Sequence, residues 1–189
     1  MGAYINTGNA GFRNARNGEY VDKSEIISVI NRSLFTENEF SCVTRCRRFG
    51  KSMAAKMLCA YYDQSCDSRQ LFADLKIASD KTFEQHLNKY PVIFLDISDF
   101  VTRFKDERII PQMNKELMAD VHKAYPQVPV EDGDDLMALL IRIAESSGQQ
   151  FIFIIDEWDA ICREFEPGTK AMDTYLDWLR RMFKGGQTM

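Results

Sequence analysis

A Gly-Lys-Ser triplet at residues 50–52 constrains the fold more than any other feature of this sequence, because two different kinds of apolar segment flank it. Residues 40–44 form a short, largely apolar run, which predicts a strand. Residues 52–62 are apolar on nearly every face, which predicts a helix buried against a sheet. A strand, a turn and a helix in this order form the local structure that holds phosphate groups. The sequence therefore predicts an α/β fold in which a parallel sheet is flanked by helices.

The triplet and the residues before it form the predicted phosphate loop. Their backbone N–H groups would point into one concavity at the positive end of the helix, where an anion is favoured. Arg45 stands where the usual pattern has its first glycine, so the loop either follows a different path or binds more weakly. The alternative is a chance triplet at a helix start, with its arginines in solvent. The predicted nucleotide-binding residues are Arg47, Arg48, Phe49, Gly50, Lys51 and Ser52.

Within that loop, two side chains have predicted roles of their own. We expect Lys51 to reach the β- and γ-phosphate oxygens of the nucleotide, which makes it both a binding and a catalytic residue. We expect the Ser52 hydroxyl to be a ligand of Mg²⁺.

A second segment, residues 151–155, is a continuous run of aromatic and β-branched side chains that predicts a central strand buried on both faces. Asp156 and Glu157 follow it directly. Consecutive side chains at a strand end diverge, so Asp156 could hold Mg²⁺ while Glu157 orients or deprotonates an attacking water. The alternative is a strand that leads into an acidic turn. The order of the two segments favours the catalytic interpretation.

Four segments together resemble the bacterial predicted AAA-ATPase-like family. Members often carry Tyr-Val-Asp-Lys, Arg-Pro-Arg-Arg-Phe-Gly-Lys-Ser and Ile-Asp-Glu-Tyr-Asp blocks in this order. The family has an arginine at the position of Arg45, while Cys46 and Trp158 replace its usual proline and tyrosine. The corresponding segments here are residues 20–24, 45–52, 91–96 and 154–159.

The resemblance implies a P-loop NTPase-type core that binds ATP with Mg²⁺ and hydrolyses the ATP. It also implies a longer protein, usually with a C-terminal nuclease-like domain of the PD-(D/E)XK kind. We therefore expect residues 1–189 to be one incomplete domain that lacks C-terminal strands, a γ-phosphate sensor and an arginine finger. Turnover is expected to be weak or absent in this chain alone.

The rest of the sequence alternates between predicted helices and one further strand. Residues 6–19 are expected to be irregular, and Ser24 is expected to start a helix. A short helix precedes a strand at 91–96, which ends at Asp96. Asp96 has one of two roles: it supports the site or faces the substrate, or it stabilises a structural turn. Residues 20–23 also have two interpretations, a solvent-facing strand end or a segment close to the nucleotide base. Helical spacing of apolar residues predicts three more core helices, marked by Ile110, Met113, Leu117 and Val121, by Leu136, Leu139, Leu140 and Ile143 (opened by Asp134), and by Met172, Tyr175, Leu176, Leu179 and Phe183.

Composition argues against several classes of partner. A net charge of −4 provides no basic field for nucleic acid, although arginines cluster near the triplet. Five cysteines without Cys-x-x-Cys spacing, and only two histidines, favour reduced thiols over a zinc site. No apolar run of about 20 residues and no signal peptide is present, so we expect a cytoplasmic protein that does not enter a membrane. A sheet edge left open by absent strands could pair two copies into a homo-oligomer.

Two other functions remain open at this point. A small-molecule kinase could use Asp96 to accept a proton from a hydroxyl group, although the glutamate after Asp156 favours water as the nucleophile. A nucleotide-dependent switch or interaction module would bind ATP without hydrolysing it. Phosphate release without an added acceptor would argue against the kinase, and tight binding without turnover would favour the switch.

Overall fold

The computed structural model of the protein describes residues 2–44 and 49–185. In these ranges it contains ten α-helices, one 3₁₀ helix and two β-strands. In chain order they are α1 (Ala10–Arg16), α2 (Glu25–Asn31), α3 (Lys51–Tyr62), α4 (Arg69–Phe72), the 3₁₀ helix (Lys76–Ser79), α5 (Phe83–His86), β1 (Val92–Asp96), α6 (Ile97–Arg103), α7 (Ile109–Ala124), α8 (Leu136–Ser147), β2 (Ile152–Asp156), α9 (Ala160–Glu164) and α10 (Lys170–Gly185).

The two strands form a parallel sheet with helices on both faces. β1 pairs with β2 so that Val92 lies opposite Ile152 and Asp96 lies opposite Asp156. Successive side chains of a strand point to opposite faces, so each strand contributes to two cores. Ile93 and Leu95 of β1 join one core, whereas Val92 joins the other. The prediction of an α/β fold with a helix-flanked parallel sheet is confirmed, with two strands in the described part of the chain.

The helices divide between the two faces according to their place in the sequence. The helices before β1 enclose one core around Phe12, Tyr61 and Phe72, while those after it enclose the other around Leu117 and Leu139. All five side chains have at most 1% of their surface exposed. Burial of each large apolar side chain contributes about 1.5–3 kcal/mol to folding. The sheet is thus the middle layer of three.

Residues 6–19 were expected to be irregular, and that expectation is wrong for α1. Phe12 is fully buried and stacks on Phe72, with 5.1 Å between ring centroids. It is the one buried side chain that α1 contributes, so the helix has no apolar periodicity to reveal it. Just before α1, Ile5 forms an antiparallel bridge with Ile93 and so covers the edge of β1 that faces away from β2.

The strand predicted at residues 40–44 is not formed. All five residues are exposed, and Phe40 and Val43 retain 51% and 42% of their accessible surface. A strand requires a neighbour for its backbone N–H and C=O groups. β1 already has β2 on one side and Ile5 on the other, and the described residues provide residues 40–44 with no ladder partner. Local β-propensity alone therefore did not decide the structure here.

The predicted core helices are present, but α10 buries a face that differs in part from the predicted one. The four predicted core residues of α7 and the four of α8 are all buried. In α10, Tyr175 and Leu179 are buried as predicted, but Phe183 is 46% exposed while Trp178 and Met182 are buried. Apolar residues lie along two overlapping stripes of this helix, and the contacts of α10 with α7 and α9 determine which stripe is buried.

Within the described residues, no helix is both long and apolar enough to cross a bilayer.

Helix α8 begins one residue later than the sequence predicts. Asp135, and not Asp134, is the N-cap, because its carboxylate accepts a hydrogen bond from the backbone N–H of Ala138 at 3.0 Å. Asp134 instead forms an ion pair with Arg142 at 2.9 Å. The helix ends at Gly148, whose φ of +67° is the left-handed conformation that glycine adopts without strain.

An Asp135→Ala variant is expected to lower the free energy of unfolding by about 1 kcal/mol, because it removes the N-cap of α8. The measurement is denaturant unfolding followed by circular dichroism. Asp132→Ala is the matched control, since Asp132 is exposed in the same loop. Equal unfolding midpoints for the two variants would contradict the capping role.

Candidate functional site

The carboxyl ends of both strands meet at one edge of the sheet. Asp96 and Asp156 are the last residues of β1 and β2, and the parallel register places their Cα atoms opposite each other. Ligands of open α/β sheets bind beyond this edge. The predicted site residues are therefore expected at this edge.

Helix α3 runs antiparallel to the strands, so that its first turn reaches the same edge. At its far end, Asp63 forms a bridge with Tyr90, and the Tyr90 N–H donates to the Tyr62 carbonyl at 3.0 Å, close to the start of β1. A helix of 12 residues is about 18 Å long and a strand of five residues about 17 Å. Along its length α3 packs against β2, and the pKa of Asp159, three residues beyond β2, is lowered mainly by its bond to Arg163 and least by the positive charge of Lys51. The start of α3 and the end of β2 are thus neighbours.

Gly50 provides the turn that leads into α3. Its φ of +79° and ψ of +28° lie in the left-handed region, which costs glycine little and other residues more. A Cβ atom at this position would lie 3.2 Å from Nζ of Lys23, closer than most such contacts. Both observations explain why glycine occupies the position directly before Lys51.

Lys23 is a neighbour of the loop that the sequence analysis did not include in the site. Its Nζ donates a hydrogen bond to the Phe49 carbonyl at 2.6 Å. The segment around it is anchored, since the Asp22 carboxylate accepts from the N–H groups of Ser24 (2.8 Å) and Lys76 (2.9 Å). Of the two interpretations left open for residues 20–23, the structure excludes a strand end and brings Lys23 next to the loop.

Asp156 and Glu157 occupy a tight turn between β2 and α9. Asp156 is 7% exposed, and its Oδ1 accepts a hydrogen bond from the N–H of Glu157 at 3.0 Å. Glu157 has a φ of +50°, a left-handed conformation that is strained by about 1–3 kcal/mol for a residue other than glycine. Its carbonyl accepts from the N–H of Ala160 at 2.8 Å, which closes the turn. Such strain is most frequent at functional sites.

Arg163 of α9 joins two acidic side chains of this turn. Its Nη2 donates to Oε2 of Glu157 at 2.6 Å, and its Nη1 pairs with Oδ1 of Asp159 at 2.5 Å. The hydrogen bond from Arg163 holds the pKa of Asp159 below its ordinary value, and the positive charge of Lys51 acts in the same direction. Asp159 and Arg163 were not predicted as site residues, although their i, i+4 spacing at the start of a helix is typical of an ion pair.

Asp96 has a structural role at the same edge. Its Oδ1 accepts hydrogen bonds from the N–H and the hydroxyl of Ser98, at 3.0 Å and 2.6 Å, and so caps α6. Of the two roles considered for Asp96, the geometry favours the turn. The register nevertheless keeps its Cα opposite that of Asp156.

The predicted loop residues are described in part. Phe49 is 60% exposed, Gly50 is the N-cap of α3, and Lys51 and Ser52 are the first two residues of that helix. Arg47 and Arg48 lie outside the described residues, as do Arg45 and Cys46.

The four cysteines that the structure describes are free thiols, and burial raises the pKa of Cys59.

Taken together, the fold and this edge define an α/β protein in which a helix, preceded by a left-handed glycine, runs antiparallel to two parallel strands and starts at their carboxyl edge, where an acidic turn follows β2. A sequence model of the family described as "Predicted AAA-ATPase" matches residues 8–189, and the chain belongs to this family. The resemblance stated from the sequence is confirmed. Comparisons with curated proteins and with solved structures gave no match.

Proposed function

We propose that this protein binds Mg-ATP at the carboxyl edge of its sheet, in the manner of a P-loop NTPase, and slowly hydrolyses it. The observation that carries the proposal is the juxtaposition of two segments distant in sequence. Helix α3, which begins at Lys51, packs antiparallel against β2, which ends at Asp156 and leads directly into the turn of Glu157. A cationic phosphate-binding loop and an acidic, water-activating turn must be neighbours for phosphoryl transfer to water.

The cationic side of the proposed site is the segment that leads into α3. Gly50 allows the backbone N–H groups around it to face an anion at the positive end of a helix of 12 residues. Lys51 binds the β- and γ-phosphate oxygens, whereas Arg47 and Arg48, which the sequence predicts to bind the nucleotide, lie outside the described residues. Lys23, through its bond to the Phe49 carbonyl, holds Phe49 close to residues 20–24.

The acidic side fits a magnesium ion. Asp156 lies at the carboxyl end of β2 with 7% of its surface exposed, and Mg²⁺ is commonly held by one or two carboxylates together with phosphate oxygens and waters. Ser52 and Asp156 are the residues that would hold the ion. When bound, Mg²⁺ supplies charge neutralisation on the phosphates.

Glu157 is the proposed catalytic base. It accepts a proton from the attacking water while the water oxygen forms a bond to the γ-phosphorus and the bond to the bridging oxygen of ADP breaks. The kinase alternative has no second acid beside Asp96 to support it, whereas Asp156 is followed directly by Glu157, which favours water as the nucleophile. The non-hydrolysing switch differs from the proposal only in turnover and is tested by the same assays.

The test of binding is the thermal midpoint of the parent chain, and of its Lys51→Ala variant, with and without saturating Mg-ATP. A ligand that binds only the folded state raises this midpoint. We expect a rise of several degrees for the parent and none for Lys51→Ala. Lys56→Ala is the matched control, because Lys56 is exposed on the same helix, and it should keep the parent's rise.

Two results of this experiment would overturn the nucleotide site. One is an unchanged midpoint of the parent at saturating Mg-ATP. The other is an equal rise in the parent and in Lys51→Ala, since binding would then not depend on the loop. Hydrolysis itself is measured separately as phosphate release from γ-labelled ATP under single-turnover conditions, without any added acceptor.

A further inference from the structure

We propose that Arg163 is a positioning residue for Glu157, and that its guanidinium holds the glutamate in the orientation from which it activates water. This inference rests on the proposed function. It concerns a residue that neither the predicted site nor the family description includes. Arg163 acts through Glu157 and does not itself contact the nucleotide.

The first argument is the geometry of the guanidinium. Its two terminal nitrogens each contact a different carboxylate, Glu157 at 2.6 Å and Asp159 at 2.5 Å. The planar fork of an arginine fixes the directions of both bonds together. Because Glu157 uses Oε2 for this bond, its other oxygen, Oε1, is the one that can accept a hydrogen bond from water.

The second argument is the rigidity of the element that carries Arg163. Helix α9 follows the Glu157 turn directly, and its Ala160 and Ile161 are buried in the core on the α7–α10 side of the sheet. The backbone of Glu157 is fixed by the hydrogen bond from Ala160 to its carbonyl. A glutamate side chain still has three rotatable bonds, so a fixed backbone does not orient its carboxylate. The bond from Arg163 supplies the missing restraint.

The charges of the turn also assign the proton. Asp159 pairs with Arg163, and Arg163 pairs with Glu157, so one cation links the two acidic side chains. Bonds to Asp159 and Glu157 raise the pKa of Arg163, which remains a cation and cannot take the water proton itself. The proton is therefore left for Glu157.

A purely structural role for Arg163 predicts a different result from a positioning role. The side chains of Arg163, Glu157 and Asp159 are 36%, 32% and 44% exposed, and ion pairs this accessible add little to fold stability. Loss of Arg163 should therefore leave the thermal midpoint, and its rise with Mg-ATP, close to those of the parent. Misplacing a catalytic group, in contrast, lowers the rate of the chemical step.

The test is Arg163→Ala in the full chain, assayed for phosphate release over a range of Mg-ATP concentrations. We expect kcat to fall about tenfold and KM to stay within about twofold, because the ground-state contacts of the nucleotide are intact. Arg163→Lys should recover part of the loss, since a lysine can reach one carboxylate but not hold both. Arg69→Ala is the matched control, because Arg69 forms a surface ion pair with Glu84 beyond the C-terminal end of α3.

A double-mutant cycle separates action through Glu157 from any independent effect. If Arg163 works by orienting Glu157, then Arg163→Ala should change the residual rate of Glu157→Gln by less than about twofold. A full tenfold decrease in that background would overturn the inference. So would a parent-like or faster rate for the single variant, which would mean that the ion pair does not assist Glu157. A parent chain that releases no phosphate would overturn the proposed hydrolysis and, with it, this role.

Discussion

A Glu157→Gln variant should bind Mg-ATP as the parent does and release phosphate more slowly by about 10²-fold or more. The amide of glutamine can still accept a hydrogen bond from Arg163 at the position of Oε2, so the turn keeps its geometry. The amide cannot take a proton from water, so the chemical step loses its base. The measurements are the thermal midpoint with Mg-ATP and single-turnover phosphate release.

Glu164→Gln is the control for this variant, because Glu164 is an exposed glutamate at the end of α9, the helix that follows the Glu157 turn. It should keep both the parent's binding and the parent's rate. A rate for Glu157→Gln equal to that of the control would exclude Glu157 as the base. Loss of the thermal shift in Glu157→Gln would instead mean that Glu157 contributes to nucleotide binding.

An Asn31→Leu variant is expected to lower the free energy of unfolding by about 3 kcal/mol, because it breaks a buried polar network. Asn31 is 6% exposed and donates to Tyr61 (3.1 Å) and Thr82 (2.8 Å), while its Oδ1 accepts from the Tyr62 hydroxyl at 2.7 Å. Leucine has the same number and branching of side-chain heavy atoms as asparagine and is not smaller, so the loss does not report a cavity. Equilibrium unfolding in urea measures the change.

A second substitution tests the origin of that loss. Tyr61 also donates to the Phe83 carbonyl at 2.8 Å, so the hydroxyl that loses its acceptor in Asn31→Leu is that of Tyr62. Adding Tyr62→Phe removes the orphaned hydroxyl and should recover part of the stability. If the double variant is less stable than Asn31→Leu alone, the buried hydroxyl is not the source of the cost.

Elements with strong local patterns could be predicted from the sequence. β1 and β2 are continuous apolar runs, and α7 and α8 place buried side chains at helical spacing, so each pattern is contained in a few neighbouring residues. Helix α1 could not be predicted this way, since its one buried side chain, Phe12, depends on Phe72, 60 positions away. Residues 40–44 have the pattern of a strand but lack a partner strand among the described residues.

Some residues of the candidate site could be predicted from sequence motifs, and others could be found only from the structure. Gly50, Lys51, Asp156 and Glu157 stand in motifs whose residue types already indicate phosphate and water chemistry. The bond between Lys23 and the Phe49 carbonyl, and the bond between Arg163 and Glu157, could not be predicted, because no motif or helical spacing relates the two residues of either pair. Their roles follow from side-chain directions that the packed helices impose.

Short-range chemistry in the sequence was thus sufficient for the family, the α/β class and the identity of the proposed phosphate-binding and acidic segments. Only the tertiary structure decided that α3 lies antiparallel to the strands, that Asp96 caps α6, and that Arg163 joins Glu157 to Asp159. The physical reason is the range of the interactions. Periodicity, turn preference and motif chemistry act over a few residues, whereas strand pairing, helix packing and ion pairing depend on groups that only the folded chain brings together.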